Sequence, residues 1–277
     1  MKQLFLAILA LAIGGLFSTT PLRAQTADDK EADEAHLAMQ LHNPVAALIR
    51  VPIENDWDFG SGSGRASIYQ LSLKPVIPFQ LSEDWNLISR TIVPLAYATS
   101  SLEHHANTAG LSDLAETIYF SPDQPMGGWF WGAGPGLIFP SATDRDLGAG
   151  KWSAGPTAAL LRQDGGWTLG ALTGHAWSFA GDRHRDDVST TYLQPFVSYT
   201  TKHDTTFGVD TTSEYDWMGQ QWTVPVEVSV SQVLHLGGQE VEVGLTGRYY
   251  AERPADGPHW GLGFSVTFLF PKRTKTS

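Results

Sequence analysis

The stretch KWSAGPTAALLRQDGGWTLGALTGHAWSFAGD, Lys151 to Asp182, carries the repeating unit of the chain. Two runs of strand length flank the turn Gln163-Asp164-Gly165-Gly166. In the second run Trp167, Leu169, Ala171, Thr173, His175, Trp177 and Phe179 fall on one face. Thr168, Gly170, Leu172, Gly174, Ala176 and Ser178 fall on the other. That is period two, the periodicity of a strand and not of a helix. Trp152, Trp167 and Trp177 stand near the ends of the runs, where an amphipathic ring suits a membrane surface. A hairpin whose large apolar face ends in aromatic rings fits lipid outside and water inside.

The alternation extends in both directions. Tyr69, Leu71, Leu73, Ile77 and Phe79 alternate with Gln70, Ser72 and Lys74; after Ser82-Glu83-Asp84, the residues Trp85, Leu87, Val93, Leu95 and Tyr97 share a face with Arg90 opposite. A first strand ends near Ile53, and further strands fall at about 111–120, 128–139, 151–162, 166–179, 188–201, 204–217, 221–235, 239–251 and 259–270. In 204–217, Phe207, Val209, Tyr215 and Trp217 oppose Gly208, Asp210, Thr212, Glu214 and Asp216. The pattern predicts an all-β fold, a transmembrane antiparallel up-and-down β-barrel of roughly 12 strands. Short connections at 81–84, 121–127, 163–165, 202–203 and 236–238 alternate with longer ones at 54–65, 98–110, 140–150, 180–187, 218–220 and 252–258, although 121–127 is long for its set and 218–220 short for its own. The alternation matches periplasmic turns and outer loops and puts both termini in the periplasm. Pro75, Pro94, Pro135, Pro156, Pro195 and Pro225 fall inside strands and cost ladder bonds, which predicts bulges or shifted boundaries.

The N-terminus sets the compartment. Lys2 precedes an apolar run from Leu4 to Phe17, and small and polar residues lead to Ala24, so residues 1–24 read as a cleaved signal peptide. The run is short for a spanning helix. Removing Lys2 and Arg23 leaves 16 basic against 29 acidic residues, a poor balance for binding nucleic acid. The chain has no Cys, hence no disulfide framework and no thiolate chemistry. Residues 25–42 are acidic, and Ala35, Ala38 and Leu41 could line one side of a short helix that tucks into a lumen; a mobile tail fits equally. The barrel follows over 43–271, with a tail at 272–277. The last strand, with Trp260, Leu262, Phe264, Val266, Phe268 and Phe270 on one face, resembles the signal read by the outer-membrane assembly machinery.

If the polar strand faces line a lumen, its charges are Lys74, Arg90 and Arg248 against Glu116, Asp210, Glu214, Asp216, Glu227, Glu240 and Glu242. Unpaired charge in a narrow lumen is costly, so Arg90 and Arg248 are expected to meet acids from 204–217 and 221–251. Such a constriction, with acid in excess, favours cations; a purely structural network is the alternative. An aromatic girdle is expected from Trp85, Trp152, Trp167, Trp177, Trp217, Trp222 and Trp260.

An enzyme reading requires a Ser–His pair on the outer wall. His175 and Ser178 fall on opposite strand faces, and no hydrolase signature surrounds them. Glu103, His104 and His105, and the group Asp182, His184, Asp186 and Asp187, lack a recognised ligand spacing, so no metal is assigned. Gly132, Gly134 and Gly136 precede no helix, and Gly148-Ala149-Gly150-Lys151 lacks nucleotide-loop spacing, so no cofactor is assigned.

NPVAALIRVPIEND, KPVIPFQLSEDWNLISRTIVPL, GLSDLAETIYFSP, LQPFVSYTTK, QWTVPVEVSVSQ and LTGRYYAE, with the opening stretch, are similar to one family. The chain resembles, over about 43–271, the bacterial outer-membrane proteins related to the meta-pathway phenol degradation transporter family, often labelled neuromedin U. The resemblance implies an outer-membrane barrel and a transport role, and it brings no catalytic residues. The expected protein is a channel or substrate-specific porin for passive passage of small molecules, aromatic or hydrophobic compounds among them. Its partners are outer-membrane lipids, the assembly machinery and a small-molecule solute. A closed structural or adhesive barrel and an outer-membrane lipid-modifying enzyme are the alternatives.

Overall fold

Proline positions decide how the strands divide. The computed structural model describes residues 37–62, 66–99 and 107–270. Among them run β1 (Ile49–Ser61), β2 (Ala66–Leu73), β3 (Val76–Gln80), β4 (Trp85–Ala98), β5 (Thr108–Leu111), β6 (Leu114–Pro122), β7 (Trp129–Phe139) and β8 (Lys151–Asp164). They continue as β9 (Trp167–Gly181), β10 (Ser189–Thr200), β11 (Thr205–Asp210), β12 (Ser213–Asp216), β13 (Gln221–Leu236), β14 (Gln239–Glu252) and β15 (Trp260–Phe270). The pairs β2/β3, β5/β6 and β11/β12 are each one wall interrupted, so the sheet has twelve walls, and β1 pairs with β15 to close it.

Each interruption stands opposite a proline on the preceding wall. A proline has no N–H to give the ladder but keeps its carbonyl. Lys74 N donates to Pro52 O at 2.9 Å, Ser112 N to Pro94 O at 2.9 Å and Thr211 N to Pro195 O at 3.3 Å, each at the break. Pro225 lies at the register shift between β13 and β14, a bulge of the expected kind. Pro135 and Pro156 face each other in the β7–β8 ladder.

Two-residue turns close the β8–β9 and β13–β14 hairpins. Gly165 and Gly166, with φ of 56° and 87°, and Gly237 and Gly238, with φ of 59° and 90°, take the left-handed conformations such a turn demands. The expected long loop at 54–65 is corrected: β1 continues to Ser61 and β2 begins at Ala66. Ile53, Trp57 and Phe59 alternate with Glu54, Asp56 and Asp58, so the strand period never stopped. The signal-peptide and tail readings, and Glu103, His104 and His105, lie outside the described residues.

The walls put most of their exposed large apolar side chains outward. Val228 and Leu245 are about 60% exposed, whereas Thr168, Ser72 and Ser153, on inward faces, are almost fully buried. That inversion of a soluble core is the arrangement lipid requires.

Residues 37–48 enter the barrel at its short-turn end. A single helical turn over 37–41 buries Ala38 and Leu41 against Leu48, Val233 and Leu269. Val45 buries against Val76, Ile88, Tyr119, Leu161 and Leu172 on the opposite walls. Polar ties fix the plug: Arg50 donates to Leu41 O, Gln163 Nε2 donates to Met39 O at 2.6 Å, and His42 Nε2 lies 3.5 Å from Glu242 Oε1.

Candidate functional site in the barrel lumen

Strand phase selects which charges face inward. On β13, Val226 and Val228 are exposed outward, so Glu227 between them points in; on β14, Leu245 and Tyr249 do the same for Arg248. Glu227 and Arg248 are direct cross-strand neighbours, and Arg248 Nε donates to Glu227 Oε1 at 2.8 Å. The same guanidinium reaches over β15 to Asp58 Oδ1 at 3.2 Å and Asp56 Oδ1 at 3.2 Å on β1. Gly261 and Gly263 of β15 lie under that bridge, and a Cβ on Gly261 would run into the Asp58 carboxylate. One guanidinium, with five donors in a rigid fork, thus satisfies three carboxylates, all four side chains being 14–17% exposed. Lys74 pairs with Glu54 alongside.

The lumen has two unlike walls. From β11 round to β2 it carries Asp210, Glu227, Arg248, Asp56, Asp58, Glu54 and Lys74, an acidic excess. From β4 round to β10 it carries Ile88, Tyr119, Phe130, Leu161, Leu172, Tyr192 and Phe196, packed into one apolar cluster.

The remaining expected lumen residues separate by height and face. Arg90 shares a lumen row with Val76 and Arg50, and it makes no ion pair or hydrogen bond among the described residues, contrary to the expected pairing with acids. Glu214 faces the lumen in register with Tyr192 and is solvent-exposed. Asp216 accepts from Met218 N at 2.9 Å and so serves the outer turn instead of a constriction. Glu242 sits low, takes the Ser231 hydroxyl at 2.7 Å and faces the plug through His42. Glu240 pairs with His235 at the short-turn rim.

Glu116 is a correction: it lies on the outer wall. Tyr119 and Ser121 of β6 are buried inward and Phe120 is exposed outward, so Glu116 shares the lipid face with Phe120. There the hydroxyls of Ser89 and Thr91 donate to its two carboxylate oxygens at 2.6 and 2.5 Å. Asp56 and Asp58, two of the three carboxylates that meet Arg248, were not among the expected lumen residues because that stretch was expected to be loop.

The seven expected girdle tryptophans all point outward, each 40–55% exposed. Trp85 and Trp167 stand at the short-turn end, where Trp85 packs on Trp131 and Trp167 on Tyr199. Trp152, Trp177, Trp217, Trp222 and Trp260 stand toward the loop end, with Trp152 against Phe139 and Trp260 against Phe59.

At that upper level His175 lies on the lipid face, its Nδ1 2.7 Å from Thr191 Oγ1 and its Nε2 3.3 Å from Ser189 Oγ. Trp217 Nε1 donates to the same Thr191 oxygen at 2.8 Å. Ser178 is turned away, bonded to Val188 N and Asp187. In the loops, His184 lies 3.1 Å from Asp182, and Asp187 is taken by Lys151 at 2.8 Å. No group of three His, Asp or Glu side chains among the described residues is placed to hold a metal ion.

Among solved structures, the COG4313 outer membrane channel from Pseudomonas putida F1 aligns with a TM-score of 0.64 at 14% identity, covering 81% of this chain and 96% of that one. The NanC porin aligns at 0.48, with 12% identity over 80% and 99% of the two chains. Outer membrane phospholipase A from Escherichia coli aligns at 0.47, with 11% identity over 85% and 97%. No curated protein matches the sequence. The family described as "Putative MetA-pathway of phenol degradation" matches residues 66–276. With most of the barrel inside that match, the chain belongs to this family and has the fold of an outer-membrane β-barrel channel.

Proposed function

We propose that the protein is an outer-membrane channel for passive passage of small molecules, plugged at its periplasmic end by residues 37–48. The observation that carries this reading is the lumen itself, an ionic wall organised by Arg248 facing an apolar wall. A purely structural barrel has no need of that separation, whereas a solute with one polar and one apolar side could slide between the two walls. The family's description supports aromatic compounds as solutes.

The test is ion conductance in planar bilayers, comparing the full chain with a form lacking residues 25–48. The trimmed form should give discrete steps of higher conductance that prefer cations, because acid exceeds base on the ionic wall. Silence from both forms, each shown to be folded, would favour a closed structural or adhesive barrel.

One observation favours a second reading, a lipid-modifying enzyme. His175 Nε2 stands 3.3 Å from Ser189 Oγ while its Nδ1 meets Thr191, and the tautomer in which Nδ1 donates to Thr191 would leave Nε2 to accept from Ser189, as nucleophilic catalysis requires. Covalent labelling of Ser189 by a fluorophosphonate would support it, and an inert Ser189 in the folded protein would dismiss it.

A further inference from the structure

We propose that the lumen holds a binding site for a single-ring aromatic carboxylate, with Arg50 and Arg90 as its anion-binding groups. This rests on the lumen being a solute path and specifies what that path accepts.

A cavity of about 170 Å³ lies directly on the plug, with His42 on its floor, Arg50 and Arg90 on one side, and Leu172 and Phe196 across from the polar wall. A cavity of roughly 150 Å³ lined by apolar side chains holds one benzene ring. The space here takes one ring with a small substituent.

Charge decides the substituent. Arg50 and Arg90 flank Val76 in a single row, Arg50↔Val76 on one side and Val76↔Arg90 on the other, so two arginines face the lumen from backbones about two strand spacings apart. They are close enough for each to act on the other's charge. Arg50 spends a donor on Leu41 O, while Arg90 has no partner among the described residues. A guanidinium on a lumen wall that no acid among the described residues meets is a costly arrangement unless an anion or water meets it. A planar carboxylate matches its fork, and the ring then falls on the side of Phe196 and Leu172.

Asp210 is the carboxylate of this lining, and its charged neighbours are Glu227, Arg248 and Glu54. It does not figure among the charges acting on Arg50, which are Arg90 and, from outside this lining, Glu242 and Glu54, so Arg90 is the less compensated of the two cations. The cavity therefore has a cationic end and an acidic end, and a monoanion is oriented in it, carboxylate toward Arg50 and Arg90. The acidic wall slows an anion entering from the loop end, so the site is tested at equilibrium.

The experiment is calorimetric titration of the folded full-length barrel in non-ionic detergent with benzoate, with benzamide as neutral isostere and acetate as ringless anion. Benzoate should bind with a Kd of about 1 mM or tighter. Benzamide and acetate should each bind about tenfold more weakly, and Arg90→Gln should cost benzoate about tenfold while leaving benzamide unchanged, with Arg90→Lys recovering part of the loss. Equal binding of benzoate and benzamide, indifference to Arg90→Gln, or no benzoate binding by protein shown to be folded would each overturn the site. A full-length barrel that ignores benzoate while its trimmed form conducts would sink this site and leave the channel. Benzoate binding by a protein that never conducts would do the reverse.

Discussion

Arg248 of β14 and Asp58 of β1 meet at 3.2 Å across the intervening strand, directly over Gly261, which is in register with both. The contact ties the two sides of the barrel closure through side chains 190 residues apart. It requires the middle strand to carry no side chain at that level.

Arg248→Ala should therefore strand three carboxylates on one wall. Losing one partner of a buried ionic group costs about 3 kcal/mol, because the remaining charges stay desolvated. Urea unfolding in detergent or liposomes should show that loss, with Glu227→Gln, which removes one acid of three, costing clearly less. Equal effects would mean that the group is hydrated and weakly coupled.

Gly261→Ala should perturb the same group without touching any charge. The added methyl would meet both the Asp58 carboxylate and Trp57 O, and backbone cannot yield as a side chain can. A loss of about 1–3 kcal/mol is expected, typical of overpacking. Gly247→Ala, on the outer face with open space above it, should cost almost nothing and is the control.

Glu116 on the lipid face makes the opposite prediction. A charge facing hydrocarbon is unfavourable, for acids by less than the roughly 2–4 kcal/mol of a basic residue at the midplane. Glu116→Leu should raise folding stability by about 1 kcal/mol. Its conductance should equal that of the parent, because Glu116 does not reach the lumen. A changed selectivity would contradict its placement.

Val209→Arg tests the strand phase directly. Val209 is 46% exposed on the outer wall, so Arg there should cost about 2–4 kcal/mol. Ser229→Arg, on the lumen face, should cost less. Equal cost would refute the assigned faces.

The outer loop at 182–188 should respond to acid. Lys151 donates to Asp187, and that hydrogen bond, the Lys151 charge and the Ser178 hydroxyl hold the Asp187 carboxyl below its ordinary value. A carboxyl lowered in the folded state adds stability above the ordinary Asp pKa of about 4 and loses it as pH falls through the lower, folded value. Amide protection in 182–188 should be steady at neutral pH and fall below about pH 4. Lys151→Gln should show weak protection at both.

Twelve walls, their outward faces and the alternation of turns and loops were legible in the amino-acid order, because period two and glycine-rich turns are local properties. Even the prolines could be read as irregularities. What they interrupt could not: Pro52, Pro94 and Pro195 break the neighbouring wall, and a neighbour is fixed only by register. The phase of Glu116 escaped for the same reason, since the break at Ser112 and Asp113, opposite Pro94, resets β6. Asp56 and Asp58 lay in a visible alternation, but polar Asn55 on the lipid side, held by the Tyr69 hydroxyl at 2.8 Å, hid it. The sequence by itself determined a barrel with an acidic, charged interior. The register of the closed barrel decided that Arg248 serves three carboxylates, that Arg90 meets none among the described residues, and that residues 37–48 pack inside the barrel. Those outcomes depend on which strands face one another across the barrel, and closure sets that by joining the first strand to the last.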